Sequence, residues 1–101
     1  MKSAIFLPEA EQEMYEAAKF YESQAPGLGV EFISEIERAI QAVQEAPTRW
    51  PIIEGTLRRR LLRRFPFSLL YQIEAANIVI IAVSHVHRKP YYWKKRLEKE
   101  S

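Results

Sequence analysis

The run Ile78-Val79-Ile80-Ile81-Ala82-Val83 is apolar at every position, and it limits what this chain can fold into more than any other feature. It is too short for a buried helix and rich in β-branched side chains, which fit a pleated strand. Successive strand residues point to opposite faces. A strand that is apolar on both faces needs cover on both, so this segment is expected at the centre of a sheet. With 101 residues, the chain is expected to form one core and a single domain over 1–101.

Part of that cover comes from upstream. Ala4-Ile5-Phe6-Leu7 reads as a short first strand. Pro8 suits the first turn of a helix, and Glu9, Glu11 and Glu13 favour a helix N-terminus. Ala10, Met14, Ala17, Ala18 and Tyr21 then recur at spacings of three and four, which predicts a helix over about 8–23. Gln24-Ala25-Pro26-Gly27-Leu28-Gly29 breaks it. Phe32, Ile33, Ile36, Ile40 and Val43 predict a second helix over about 29–45, ended by Pro47. A short connector makes the two an antiparallel hairpin.

After Trp50-Pro51 the period changes to that of strands. The candidates are Leu57 to Phe65, Phe67 to Glu74 and Ile78 to His85, with Pro66 between the first two and Ala75-Ala76-Asn77 turning between the others. Tyr91 to Glu100 suits a short terminal helix. The expected class is α+β: a short N-terminal strand, a helical hairpin packed on a small, mainly antiparallel sheet, and a short C-terminal helix.

Charge divides the chain at the same point. Residues 1–50 hold four basic side chains and nine glutamates, a balance of −5; residues 51–101 hold eleven and four, a balance of +7. The basic half points to a polyanion or an acidic protein partner. The absence of cysteine excludes disulfides, thiolate catalysis and cysteine-based zinc sites. The N-terminal apolar run is too short for a signal peptide, and no stretch approaches the length of a membrane span. A cytoplasmic location without membrane contact is expected.

Two constellations stand out. The first is Leu57-Arg58-Arg59-Arg60-Leu61-Leu62-Arg63-Arg64-Phe65. On a strand, Arg58, Arg60 and Arg64 would share one face with Leu62, and Arg59 and Arg63 the other with Leu57, Leu61 and Phe65. The planar fork of arginine matches phosphate or carboxylate, so these five are a candidate contact strip for RNA, DNA or an acidic peptide; a charged, aggregation-resistant sheet edge is the structural alternative. The second is Ser84-His85-Val86-His87-Arg88-Lys89-Pro90-Tyr91-Tyr92-Trp93. Arg88 suits charge stabilisation, His85 or His87 proton movement near neutral pH, and Tyr92 and Trp93 either stacking on bases or packing on the core. His85 and His87 alone form an incomplete metal shell, so no metal or other cofactor is expected.

With the order of these parts, His85-x-x-Arg88-x-Pro90-x-Tyr92-Trp93, Pro8-Glu9-Ala10-Glu11, Pro26-Gly27-Leu28-Gly29, and Arg63-Arg64-Phe65-Pro66-Phe67 with Leu70-Tyr71 closely resemble the RelE/ParE superfamily of bacterial type II toxins. The resemblance implies a plasmid-stabilisation-type toxin paired with a cognate antitoxin in a hetero-oligomer. Its RelE-like branch cuts mRNA in the ribosome without a metal; its ParE-like branch inhibits DNA gyrase. For a RelE-like ribonuclease the resemblance would place catalysis on Arg88, Tyr92, Arg59 and His85. Arg58, Arg59, Arg60, Arg63, Arg64, His87 and Trp93 would then serve antitoxin or target binding. Ser68 stands where RelE carries another catalytic arginine, and arginines replace strand lysines that move protons, a task their high pKa opposes. The expected function is therefore a ParE-like toxin acting by binding, with the mRNA endoribonuclease and a non-toxic regulatory binding domain as alternatives.

Overall fold

The computed structural model describes residues 1–100. Its elements in chain order are β1 (Ser3–Phe6), α1 (Pro8–Gln24), α2 (Leu28–Glu45), β2 (Ile52–Glu54), β3 (Leu57–Leu61), β4 (Phe67–Ile73), β5 (Asn77–His85) and α3 (Lys94–Glu100). The sheet order is β1-β5-β4-β3-β2. Strand β1 runs parallel to β5, and the other pairs are antiparallel. The apolar run thus lies in an interior strand of a mainly antiparallel α+β sheet, as its composition requires.

Its two faces enter two different cores. Ile78, Ile80 and Val83 meet Ala10, Met14, Phe32, Ile36 and Val43 of the hairpin. Val79, Ile81 and Ala82 meet Leu57, Leu70 and Trp93 on the other side. Ile81 and Ala82 are adjacent yet share a side, because the β4–β5 register shifts between Leu70 and Tyr71. Such a bulge adds a residue to one strand and changes the phase of alternation.

The hairpin closes at Gly29. A Cβ built there would meet the Ala18 carbonyl oxygen at 2.5 Å, so only glycine permits this approach of the helices. Glu22 fixes the turn: its Oε2 accepts the Gly27 N–H at 2.8 Å and its Oε1 the Gly29 N–H at 2.9 Å. A carboxylate at the first turn of α2 satisfies amides that the helix leaves unpaired. Tyr21, Phe32, Phe65 and Phe67 form an aromatic cluster beneath the hairpin, with centroids 4.8–6.2 Å apart.

Two expectations are corrected and one element is added. The strand expected from Leu57 to Phe65 ends at Leu61. Leu62 and Phe65 both turn into the hairpin-side core, and the Leu62 N–H donates to the Phe67 carbonyl at 2.9 Å, so Arg63 and Arg64 lie on a turn instead of alternating across a strand. The terminal helix begins at Lys94, not Tyr91, because Tyr91 takes a left-handed backbone (φ 67°). Strand β2 was not foreseen; it has three residues and pairs only with β3.

Candidate functional site

The face of the sheet away from the hairpin is only partly covered. Trp93, 5 % exposed, and Leu97 close one end of it. The remainder is a cleft of about 280 Å³ lined by Arg59, Ser68, Leu70, Ser84, His85, Arg88, Lys89 and Tyr91, among others. Strand alternation places these groups. Arg59 pairs with Leu70 and Ser68 with Ser84, so the four share the open face.

The arm that follows β5 is held by one carboxylate. Glu13 sits on α1 one turn from Ala10 and Ala17, and its side chain is 11 % exposed. Its Oε1 accepts the Val83 N–H at 3.0 Å and Arg96 Nη1 at 2.8 Å. Its Oε2 accepts the Tyr92 hydroxyl at 2.7 Å, Arg96 Nη2 at 3.0 Å and Arg88 Nη1 at 3.2 Å. Arg96 therefore grips Glu13 with a two-pronged fork, the strong form of this pair. The Arg88 guanidinium lies 3.7 Å from the Tyr92 ring centroid and that of Arg96 lies 5.0 Å away. Burial pushes the Tyr92 phenol up to about 12; a hydrogen bond with Ser84 opposes this and Glu13 adds to it. At neutral pH this phenol is a fixed donor to Glu13.

His85 lies at the mouth of the cleft, edge-on to Phe67 at 5.0 Å. Its Nδ1 accepts the His87 N–H at 3.0 Å. His87 is exposed, with its ring 5.5 Å from that of His85. Among the described residues, no group of three or more His, Asp or Glu gathers that could hold a metal ion.

The arginines of the 58–64 segment are dispersed by the fold. Arg59 alone of the five lines the open-face cleft. Arg58 and Arg60 lie on the hairpin side, paired with Tyr71 and Leu69. Arg58 is occupied by backbone: its Nη1 donates to the Thr48 and Trp50 carbonyls at 3.1 and 2.7 Å. Arg60 stacks on Trp50 at 5.1 Å. Arg64 pairs with Glu31 at 2.9 Å and lies 5.5 Å from the Phe65 ring. The turn bearing Arg63 and Arg64 is fixed by Glu35 of α2, 6 % exposed, whose Oε2 accepts both backbone N–H groups at 2.6 and 3.0 Å.

The structure thus brings Arg59, His85 and Arg88, all named from the sequence, to one cleft together with Ser84, whereas sequence reasoning gave Glu13 and Arg96 no role in the site. Tyr92 packs behind Arg88, and Trp93 contributes its ring mainly to the core. A signal for Glu13 was available: it lies three residues after Ala10 and four before Ala17, at the spacing of buried positions.

Comparison with known proteins agrees with this architecture. A family model described as "ParE toxin of type II toxin-antitoxin system, parDE" matches residues 4–90, a span that includes the open-face cleft up to Pro90. A search of curated proteins gives no match. Among solved structures, the chain is similar to a chain of the "Chromosomal ParDE TA system from P. aeruginosa", with 18 % identity and a TM-score of 0.74 over 84 % of this chain and 96 % of that one.

Proposed function

Since the chain belongs to the ParE family of type II toxin–antitoxin toxins, we propose that it arrests growth by binding a protein target, DNA gyrase, and is neutralised by a cognate antitoxin that covers it in a cytoplasmic hetero-oligomer. The observation that carries this reading is the engagement of Arg88 and Tyr92 by Glu13. These are two of the side chains that a nuclease of the superfamily would need for phosphate and proton. Here Tyr92 is a neutral phenol held at 2.7 Å from a carboxylate, and Arg88 shares its charge with the same group. Ser68, 4 % exposed, supplies no cation to the cleft. Such a surface is built to be recognised by shape and charge, since proton transfer needs a group whose pKa lies near the working pH.

One observation favours the RelE-like reading: Arg59, His85 and Arg88 line one cleft, which brings two guanidiniums and an imidazole together. Induction of the chain in cells lacking the antitoxin separates the two. Arrest with a DNA-damage response and intact messages is expected. Rapid loss of message while replication continues would overturn the gyrase reading, and an absence of arrest would favour a non-toxic regulatory domain.

A further inference from the structure

On the hairpin side, away from the open-face cleft, a second cleft of about 390 Å³ is lined by Arg38, Arg60, Arg63, Arg64 and Glu35. The resemblance reserves Arg60, Arg63 and Arg64 for antitoxin or target binding without saying what chemistry they take, and none of them lines the open-face cleft. We propose that this cleft is a socket for carboxylate side chains of an acidic peptide segment, supplied by the antitoxin; the choice of partner rests on the toxin reading above.

The charge balance is the first support. Four guanidiniums face Glu35 within the cleft and Glu31 at its rim, which leaves two positive charges uncompensated. Glu35 does not neutralise them by direct pairing. Its Oε2 is committed to the backbone N–H groups of Arg63 and Arg64, and this commitment holds the turn so that their side chains project outward. Among the described residues, the guanidiniums of Arg38 and Arg63 make no hydrogen bond or ion pair, and both residues are exposed.

Arg60 gives the second support. It lies over Trp50, its Nη1 donates to the Leu61 carbonyl, and its buried Nε has no hydrogen-bond partner among the described residues. A buried donor left unmade is costly, and a small rotation of the fork toward an incoming carboxylate would satisfy it. The stack on Trp50 limits how much side-chain freedom is lost when that bond forms.

A carboxylate fits better than a phosphate chain. A nucleic acid carries closely spaced charge along its whole length and requires a continuous run of cations. Here the cations surround one acid and abut another, and α2 adds Glu37 and Glu45 to its surface. Isolated carboxylates on a peptide can enter between the arginines without running along these acids.

The test uses the full chain and a short fluorescein-labelled Glu-rich peptide, with the Gln counterpart and a single-stranded oligonucleotide as competitors, read by fluorescence anisotropy. The Glu peptide is expected to bind at low salt and to weaken as salt rises, the Gln peptide to fail, and Arg38→Ala/Arg63→Ala to weaken binding about tenfold. Both side chains are exposed, so the variant keeps its fold, which its circular dichroism and thermal midpoint check. Equal binding of the Glu and Gln peptides, or unchanged binding by the folded variant, overturns the socket; displacement by the oligonucleotide in preference to unlabelled Glu peptide assigns the cleft to nucleic acid and overturns it too. Induction of the unaltered chain reports on the toxin reading alone. Growth arrest together with indifferent peptides would therefore remove the socket and leave the toxin standing.

Discussion

The 58–64 segment and the arm at 85–96 each carry five cationic side chains, and each is held by a largely enclosed glutamate from a different helix. Glu13 of α1 engages side chains, those of Arg88, Tyr92 and Arg96. Glu35 of α2 engages backbone, the amides of Arg63 and Arg64. The first arrangement consumes positive charge to fasten a terminal arm to the core. The second fixes a loop and leaves its charge turned outward. Net charge in a sequence therefore says little about the charge a partner meets; what matters is whether the buried acid binds the head of an arginine or its main chain.

Glu13→Ala is expected to have the largest effect. It would leave the largely buried Arg96 without its anion and the Val83 N–H without an acceptor, which should cost about 4 kcal/mol. Urea unfolding measures this, and a loss below about 1 kcal/mol would show that the arm is held by Trp93 and Leu97 alone. Glu35→Ala should cost less, about 2 kcal/mol, because the freed amides lie on a turn where water can reach them. If Glu35→Ala proved the more damaging of the two, the contrast between the two acids would be inverted.

Tyr92 gives a smaller effect with a distinct pH signature. Its folded-state pKa, about 12, lies above the ordinary value of 10.0. The neutral phenol is thus favoured by folding, so its contribution is complete below pH 10 and is lost as pH rises from there through about 12. After allowance for partial exposure, the loss should be about 1 kcal/mol. Tyr92→Phe should flatten the alkaline stability profile in that window, leaving the contributions of Tyr21 and Tyr71, which burial also raises. An unaltered slope would place the Tyr92 hydroxyl in water. Arg59→Ala should change stability least, by under about 0.5 kcal/mol, because the side chain is exposed and makes no internal bond among the described residues. A larger loss would mean that the open-face cleft is part of the scaffold.

Much of the architecture was legible because its signals are local. The unbroken apolar run gave the interior strand, the three-and-four spacing gave both helices, and Pro66 and Ala75-Ala76 marked the connections, although Asn77, expected in the turn, opens β5. What escaped depends on partners distant in sequence. Strand β2 has too few residues for a pattern of its own and exists through pairing with β3. The 62–66 turn looked like strand because Leu62 and Phe65 are apolar, yet both bend into the core beside Glu35. In the sequence Glu13 reads only as an acid favouring a helix N-terminus, and Glu35 is given no role. Glu35 nevertheless follows Phe32 by three and precedes Ala39 by four, so an acid on a buried stripe was the sign of an internal anchor in both helices.

Under the proposed function this chain works by binding and not by cutting RNA. The most direct measurement pairs two assays on one preparation: supercoiling by purified gyrase, and primer extension on messages held in translating ribosomes. Inhibition of supercoiling with every message intact is the expected result. Cleaved message, abolished by Arg59→Ala or Arg88→Ala and accompanied by unimpaired gyrase, would contradict it.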